Sequence, residues 1–507
     1  MKKLIAIILF STALNSIYAQ DIYDAIRFAQ TDLNGTARFK AMGGAFGAVG
    51  GDFSSLNVNP AGSLIFANNQ VGVTLSNFNT CNESNYFGKT TSNNKNSLDI
   101  NQAGAVFTFI NQDKKSDWRK FAFSINYENA KNLDNNIFSA GTNPINSVGN
   151  YFLSYANGVP LANIDGSNYY YDELYFNEQQ AYLGYNSYII DPNANTGNNT
   201  AYYTNIAATG GNYYQENRIH SNGYNGKATF NFAGQYTDKW LFGLNLNSHF
   251  LDYRQSSSFF ESNNNPKYPT GSTVDAVRFN NDLYTYGSGF SFQIGTIFKP
   301  MKELRVGISY ESPTWYRLTD ELNQRISTSG YGLSATPNVN QYSTVVTDPN
   351  TTMVFVPYNL QTPSKLTSSF AYIFGKRGLI SFDIASKNYA NTTYRPKQDF
   401  SSTNAIMSNE LTTSSEVRIG GEYKIKKVSL RGGYRWEQSP FKNKTTIGDL
   451  TGYSAGFGYN FGYTKLDVAY AYAKRDYNQQ FFSQGLTDAA RINAVNNTIS
   501  VTLLFEL

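Results

Sequence analysis

The most constraining feature of this chain is a two-residue alternation that recurs along it without any long apolar run. It is clearest in "WLFGLNLNSHFLDY", residues 240–253. One parity carries apolar side chains and the other carries small or polar ones: Trp240, Phe242, Leu244, Leu246 and Phe250 oppose Gly243, Asn245, Asn247 and His249. Successive side chains of a β-strand point to opposite faces. The segment therefore predicts a strand with one oily face and one polar face.

The same alternation predicts about 14 strands after residue 69. Beyond residue 20, no run approaches the roughly 18 apolar residues that a transmembrane helix needs. Aromatic residues make up 16% of the chain and charged residues only 15%, a balance that does not suit a large soluble core. The predicted strands cover 71–78, 103–110, 120–129, 224–236, 239–254, 286–299, 303–316, 366–375, 377–391, 415–425, 427–437, 451–461, 463–475 and 496–507.

The order of the connections distinguishes a membrane barrel from a soluble sandwich. Tight links alternate with long ones at 79–102, 130–223, 255–285, 317–365, 392–414, 438–450 and 476–495. Outer-membrane barrels place short turns at one end and long loops at the other, whereas Greek-key sandwiches mix them. We therefore predict an all-β fold over 70–507, an antiparallel up-and-down transmembrane β-barrel whose largest loop is 130–223. Closure pairs every backbone group, the oily parity faces outer-membrane lipid and the polar parity lines the lumen.

Aromatic residues near the strand ends suit the girdles that such barrels place at the two membrane interfaces. They are Trp240, Tyr253, Trp315, Tyr316, Tyr434 and Trp436.

The N-terminus predicts export. Lys2 and Lys3 precede the apolar run "LIAIILFSTAL", and "IYA" ends at Ala19, which together indicate a Sec signal peptide over residues 1–19. We therefore expect the outer membrane of a Gram-negative bacterium. Without the two leader lysines, the 41 basic and 37 acidic residues leave a net charge of +2, which gives no reason to expect a nucleic-acid partner. One cysteine, Cys81, and two histidines favour neither a disulfide framework nor a metal site, and we expect no cofactor.

Residues 20–69 precede the first strand and are dense in glycine and alanine, as in "GTARFKAMGGAFGAVGGDFSSLNVNPAGSL". Small residues pack closely in a confined space, so this segment predicts a plug, or hatch, inside the lumen. Its glycines match neither the dinucleotide-binding nor the P-loop spacing. Phe46 and Phe53 within it are candidate apolar contacts for a ligand.

Two stretches carry a resemblance to a known family. "NVNPAG", residues 57–62, resembles the Asn-Pro-Ala motif in the N-terminal hatch of the FadL/TodX family of outer-membrane transporters for long-chain fatty acids and other hydrophobic compounds. "EVRIGGEYKIKKVSLRGGYRWEQSP", residues 416–440, is similar to a late hairpin of that family. The terminal "LLFEL" departs from the aromatic last residue that is usual in the family.

The resemblance implies a passive channel of some 14 strands. Its cargo would be captured among the extracellular loops and pass to a pocket in the barrel, and a shift of the hatch would let it leave sideways through the wall at a kinked strand within 103–129. Asn59, Pro60 and Ala61 would form the hatch turn. Pro60 fixes its own φ and biases Asn59 toward extended backbone, which suits a rigid turn.

Basic residues of lumen parity are candidates for binding a fatty-acid carboxylate. They are Arg418, Lys424, Arg431 and Arg435, and the alternative is that they pair with acids such as Glu422 and Glu437 across the lumen. A catalytic role needs a histidine, a nucleophile and an orienting acid together. His249 alone among many serines does not make that pattern, so we expect no enzyme.

Other functions stay open at this stage. A water-filled porin for small polar solutes fits the polar lumen equally well, although the hatch argues against it. A surface adhesion or receptor barrel would act through loop 130–223. We expect a monomer whose partners are a hydrophobic small molecule and outer-membrane lipid.

Overall fold

Strands dominate residues 21–507, which are the residues that the structure, a computed structural model, describes; the predicted signal peptide lies outside them. In this range no helix is long and apolar enough to cross a membrane. The α-helices are α1 Ile22–Ala29, α2 Ala37–Ala41, α3 Gly149–Ala156, α4 Leu161–Ile164, α5 Phe176–Asn186 and α6 Ser401–Glu410. The 3-10 helices are η1 Phe53–Asn57, η2 Pro60–Ile65, η3 Tyr171–Glu173 and η4 Tyr389–Asn391.

The strands are β1 Gln70–Tyr86, β2 Lys89–Ile110, β3 Trp118–Asn132, β4 Asn135–Asn143, β5 Ile190–Pro192, β6 Tyr202–Thr204, β7 Tyr213–Tyr236, β8 Trp240–Ser262, β9 Thr273–Phe298, β10 Leu304–Glu311, β11 Trp315–Tyr331, β12 Tyr342–Thr347, β13 Met353–Val354, β14 Tyr358–Gln361, β15 Lys365–Phe374, β16 Gly378–Asn388, β17 Thr393–Arg395, β18 Thr413–Ile425, β19 Val428–Glu437, β20 Ile447–Asn460, β21 Thr464–Gln480 and β22 Ala489–Glu506.

Fourteen antiparallel strands form a closed barrel, as predicted. Consecutive wall strands pair in order, and the last strand, β22, returns to pair with β1 from Gln70↔Glu506 upward. The seventh wall strand is β10 continued by β11, and the eighth is β14 continued by β15. Closure leaves no free sheet edge in the wall, which the absence of water in the hydrocarbon layer requires.

The two faces of the wall follow the predicted parity. On β8, Phe242 and Leu246 are exposed on the outside, whereas Asn245 and Asn247 are fully buried in the lumen. On β22, Leu503 and Phe505 are exposed on the outside in the same way. Thr502, between the outward-facing Val501 and Leu503, is buried in the lumen. The outward-facing apolar residues therefore form the lipid-facing surface that the alternation predicts.

Three local predictions are wrong. Residues 79–102 are not a long loop, because β1 and β2 continue to a two-residue turn at Phe87 and Gly88, whose positive φ values of 45° and 80° suit a tight hairpin. The alternation fails there because both faces are polar. The predicted strand 303–316 is broken after Glu311, since Pro313 cannot donate to the ladder. Tyr253 and Tyr316 do not join a girdle; both are buried in the lumen.

The segment before β1 fills the lumen as a hatch, built from α1, α2, η1 and η2. Residues 41–50 are all buried. Short buried clusters join it to the wall: Phe53 and Phe66 pack on Val106 and Leu504, and Ala41 packs on Ala469. The hatch therefore contacts the wall in several directions, and its small residues let its backbone approach the strands closely.

Candidate functional site

The Asn59-Pro60-Ala61 turn is a buried corner of the hatch that is tied to the wall. Asn59 takes extended backbone (φ −148°, ψ 113°) and caps η2, because its Oδ1 accepts from the Ala61 N–H at 3.1 Å. Its Nδ2 donates to the Thr296 carbonyl on β9 at 3.0 Å. The Pro60 carbonyl accepts from Asn231 Nδ2 on β7 at 2.9 Å. One side chain thus orders the turn and fixes it to the barrel.

Glycines in three adjacent wall strands make room for the hatch, two of them at this turn. A Cβ on Gly243 would lie 2.3 Å from the Ala61 nitrogen, and a Cβ on Gly295 would lie 2.2 Å from Asn59 Oδ1. A Cβ on Gly307 would lie 2.6 Å from the carbonyl oxygen of Gly47, elsewhere in the hatch. All three distances are far below contact distance, so the wall is shaped to receive the hatch backbone.

Wall cations hold other parts of the hatch by its carbonyl groups. Lys131 Nζ donates to the Arg27 carbonyl at 2.9 Å and Lys387 Nζ donates to the Ala29 carbonyl, both at the end of α1, where helix carbonyls lack internal partners. Arg305 donates to the Val49 carbonyl at 2.6 Å, and Lys120 donates to the Phe66 carbonyl. These bonds satisfy hatch carbonyls with charged donors, which are stronger than neutral ones.

The predicted carboxylate-binding residues are engaged with acids of the protein. Arg418 and Arg435 both contact Glu416, and Arg435 also bonds Glu437 at 2.8 Å. Arg431 lies 2.7 Å from Glu422 and also contacts Asp467. Lys424, which is half exposed, lies 3.4 Å from Glu422. The arrangement corresponds to the alternative that the sequence left open, a luminal ion-pair network.

That network also reaches the hatch. Arg38 of α2 bonds Glu422 at 2.9 Å and the Gly51 carbonyl at 3.1 Å, so Glu422 joins a hatch cation to the wall cation Arg431. Lys40, also on α2, is fully buried; its Nζ lies 3.2 Å from Ser76 Oγ and 4.9 Å from the Phe78 ring centroid. Burial lowers the pKa of the Lys40 ammonium to about 7, although the negative charges of Glu128 and Asp32 raise it.

Phe46 and Phe53 are both fully buried between hatch and wall. Phe46 packs on Phe39 at 5.4 Å between ring centroids, and Phe53 packs on Phe66 at 5.3 Å. Their rings hold the hatch together, so a ligand would reach either of them only after the hatch moves.

Two clusters of buried apolar residues lie on the extracellular side of the hatch. One cluster surrounds α1, where Ile26 and Phe28 pack among rings that include Tyr253, Tyr358 and Tyr394. A second cluster lies under the loop helices α3 and α5, where Phe152 meets Phe279 at 5.6 Å. Between the outside and the hatch, a cargo would therefore have to pass between aromatic side chains that pack on one another.

A polar cavity of about 70 Å³, called here the hatch cavity, separates part of the hatch from the wall. Acidic, basic and amide side chains surround it, with a few apolar ones. Its lining includes Asp32, Asn34, Phe39, Asn57, Val58, Glu128, Ala130, Lys227, Glu311, Lys365, Asp383, Ala385, Glu416 and Arg418. Sequence reasoning missed Lys227, although its parity with Asn225, Thr229 and Asn231 in "NGKATFNF" places it in the lumen.

His249 is buried in the wall and fully engaged. Its Nε2 lies 2.9 Å from Ser291 Oγ and its Nδ1 lies 3.4 Å from the Tyr316 hydroxyl. Within residues 21–507, no group of three or more His, Cys, Asp or Glu side chains is placed to hold a metal ion.

Where the resemblance would place a kink, β3 shifts register against β7 between Trp118 and Lys120 and again between Asn129 and Lys131. Residues 102–110 of β2 pair without interruption with residues 120–128 of β3. The wall is also irregular between its seventh and eighth strands, where Glu311↔Lys365 and Trp315↔Gln361 pair but the residues between them form no strand. The same register places Pro313 opposite Pro363, and neither has a backbone N–H to donate.

Comparison with known proteins agrees with this architecture. The sequence model of the family described as outer membrane protein transport protein (OMPP1/FadL/TodX) matches residues 192–501. The fold is similar to that of a FadL homologue of Pseudomonas aeruginosa, with 11% identity, a TM-score of 0.52 and coverage of 94% of this chain and 99% of that one. It is also similar to the toluene transporter TodX of Pseudomonas putida, with 14% identity, a TM-score of 0.51 and the same coverage.

No curated protein sequence matches the chain. At such low identity the two solved structures support the fold alone, whereas the sequence match covers more than half of the chain. The chain belongs to the OMPP1/FadL/TodX family of outer-membrane transport proteins of Gram-negative bacteria.

Proposed function

We propose that this protein is a passive outer-membrane channel for hydrophobic molecules, with long-chain fatty acids as its cargo. The observation that carries the proposal is the hatch that fills the lumen and is fixed to the wall by its Asn59-Pro60-Ala61 turn. A porin for polar solutes keeps a water-filled lumen. A filled lumen with aromatic clusters on its outer side favours a cargo that moves from one apolar contact to the next.

In this proposal the hatch is the gate. Cargo enters among the aromatic clusters under the extracellular loops, and movement of the hatch then admits it to the lumen. The many hydrogen bonds between wall and hatch favour one well-defined docked state of the hatch. If these bonds break together and the hatch forms other contacts, it reaches a second, undocked state. Binding of cargo shifts the population toward the undocked state only if cargo binds that state more tightly.

The cargo then leaves sideways into the membrane. Support for a lateral exit comes from the irregular wall at Pro313 and Pro363, where two opposed prolines remove ladder donors. A passage here would let an apolar molecule enter lipid without crossing the periplasmic side of the hatch. This location differs from the segment 103–129 that the resemblance implies.

Uptake of labelled long-chain fatty acid by an outer-membrane host that lacks its own transporter tests the proposal. We expect saturable uptake with the intact protein, and loss of that saturable component when Asn59, Pro60 and Ala61 are all replaced by glycine. The control is Gly421→Ala, because a Cβ there would meet nothing closer than 3.8 Å. Failure of a correctly assembled intact barrel to take up fatty acid, together with a large ionic conductance, would instead support a porin.

A further inference from the structure

We propose that the hatch cavity binds the polar head of the cargo as a neutral group, held between Lys227 and Glu128. This inference rests on the proposed function and specifies the chemical form in which a fatty acid is bound. A protonated carboxyl group both accepts and donates a hydrogen bond. Its carbonyl oxygen would accept from Lys227 Nζ, and its O–H would donate to the Glu128 carboxylate.

Lys227 and Glu128 face the cavity from neighbouring strands. They are directly opposed in the ladder between β7 and β3, and each side chain is only 7% exposed. Opposed residues in a sheet have their Cβ atoms close enough for an ion pair. Nevertheless, within the described part of the chain Lys227 joins no ion pair, and Glu128 Oε2 is buried without a hydrogen-bond partner. The two charged ends therefore flank a space rather than each other.

The other luminal cations of this region are already engaged. Lys365 bonds Glu416 at 2.7 Å, and Arg418 contacts the same carboxylate. Lys131, Lys387 and Arg305 donate to hatch carbonyls, as described above. Lys227 is thus the cation of the hatch cavity whose donors remain for a ligand.

The charges around the cavity oppose an ionised head. Five acidic and three basic side chains line it, contributed by the hatch and by six wall strands: Asp32, Glu128, Glu311, Asp383 and Glu416 against Lys227, Lys365 and Arg418. Two further titratable groups lie near these, His249 opposite Lys227 and Lys40 of the hatch. Asp383 Oδ1 is also buried without a partner. Adding a carboxylate would increase a net negative charge in a confined space, whereas adding a carboxylic acid leaves it unchanged.

Binding of the neutral head takes up a proton. A fatty acid in water near neutral pH is mainly the carboxylate, because free carboxyl groups have a pKa of about 4 to 5. Binding in the proposed form therefore takes up one proton from solution, shared between the ligand oxygen and Glu128. Wherever Glu128 is ionised before binding, the complex holds one more proton than the separated components, so its affinity rises as the pH falls through that range.

The size of the cavity restricts it to the head. At about 70 Å³ it holds two or three small groups, judged against the roughly 30 Å³ that one water occupies in the liquid. Phe39, Val58, Ala130 and Ala385 lie at its border and would contact the first methylene groups. Because Phe39, Val58 and Asn57 belong to the hatch, accommodating the rest of the chain couples binding to hatch movement.

Equilibrium binding to the full barrel in phosphatidylcholine vesicles tests the proposal, with protein-free vesicles as the reference. The probes are dodecanoic acid, 1-dodecanol and dodecanesulfonate, which share one tail. We expect dodecanoic acid to bind more tightly by up to about tenfold for each pH unit lowered, and dodecanol to bind independently of pH. The permanently ionised sulfonate should bind more weakly than dodecanoic acid. Equal binding of the sulfonate, or a flat profile for bound dodecanoic acid, would overturn the proposal.

Three variants locate the effect. Glu128→Gln should flatten the pH profile of dodecanoic acid, and Lys227→Met should weaken both dodecanoic acid and dodecanol by about tenfold or more, as expected for loss of a charged donor. The control Glu303→Gln removes an exposed acid in the turn before β10, outside the cavity, and should leave the pH profile intact. Heat-modifiable gel mobility checks that each barrel has folded.

Comparing dodecanoic acid with dodecanol distinguishes this proposal from an effect of Lys40 or His249. Titration of either residue would make the binding of both ligands depend on pH. If Glu128→Gln keeps the pH profile while cells still take up fatty acid, the neutral-head proposal is refuted and the proposed function stands. If no probe binds and cells take up no fatty acid, both are refuted.

Discussion

Replacing Asn59 by alanine should release the hatch turn from the wall. The side chain makes two hydrogen bonds, one that caps η2 at the Ala61 N–H and one to the Thr296 carbonyl. A cap contributes about 1 kcal/mol and a side-chain hydrogen bond about 1 kcal/mol net. Together they amount to about 2 kcal/mol, which lowers the ratio of docked to undocked turn about 30-fold.

Amide hydrogen exchange of residues 61–66 measures this ratio, since protection falls in proportion to local opening. We expect about a 30-fold loss of protection in Asn59→Ala. Asn59→Asp is the matched variant, because its carboxylate still caps η2 but cannot donate to Thr296. It should lose protection even though the cap remains. Unchanged protection in both variants would refute the assignment of Asn59 as the link between hatch and wall.

Three further predictions concern the same contacts. Gly243→Ala should displace the turn and raise the permeability of cells to bulky antibiotics, because its Cβ would lie 2.3 Å from hatch backbone atoms and overpacking costs about 1–3 kcal/mol; Gly421→Ala should behave as wild type. Glu422→Gln should lower the temperature at which the barrel unfolds, measured as the loss of the fast gel mobility of its folded form. The substitution removes the only ion-pair partner of Arg38 among the described residues and one of the two carboxylates that contact Arg431. Lys40→Met should make the hydrogen-exchange protection of the hatch less dependent on pH. Burial lowers the pKa of the wild-type Lys40 amine from its ordinary 10.5 to about 7. Docking of the wild-type hatch therefore weakens as the pH falls from about 10.5 to about 7, and the variant lacks this effect.

The barrel was predictable from the sequence because lipid and lumen impose opposite demands on alternate residues. Phe242 and Asn245 show this within one strand. The upper parts of β1 and β2 were not predictable, because above the membrane both faces are wet and the alternation disappears. Tyr253 and Tyr316 were misplaced for a related reason: an aromatic residue near a strand end suits a girdle and a luminal cluster equally well.

The candidate site was predictable in part. The pattern around Pro60 indicates a rigid turn, and the structure places it against the wall. The rest of the site depends on contacts between residues that are far apart in the sequence. The sequence shows that Arg418, Arg431 and Arg435 share the lumen, but only the fold reveals that acids engage them. Lys227 differs from those arginines by what surrounds it in space, and no local pattern carries that information.

A reversible lock between hatch and wall tests the central claim, that transport requires movement of the hatch. Ala41 of α2 packs on Ala469 of β21, and both side chains are buried. Cysteines at these two positions, with Cys81→Ser to remove the native thiol, would cross-link the hatch to the barrel. We predict that oxidation abolishes fatty-acid uptake, that reduction restores it, and that each single-cysteine variant is unaffected. Undiminished uptake by a fully cross-linked barrel would contradict the account.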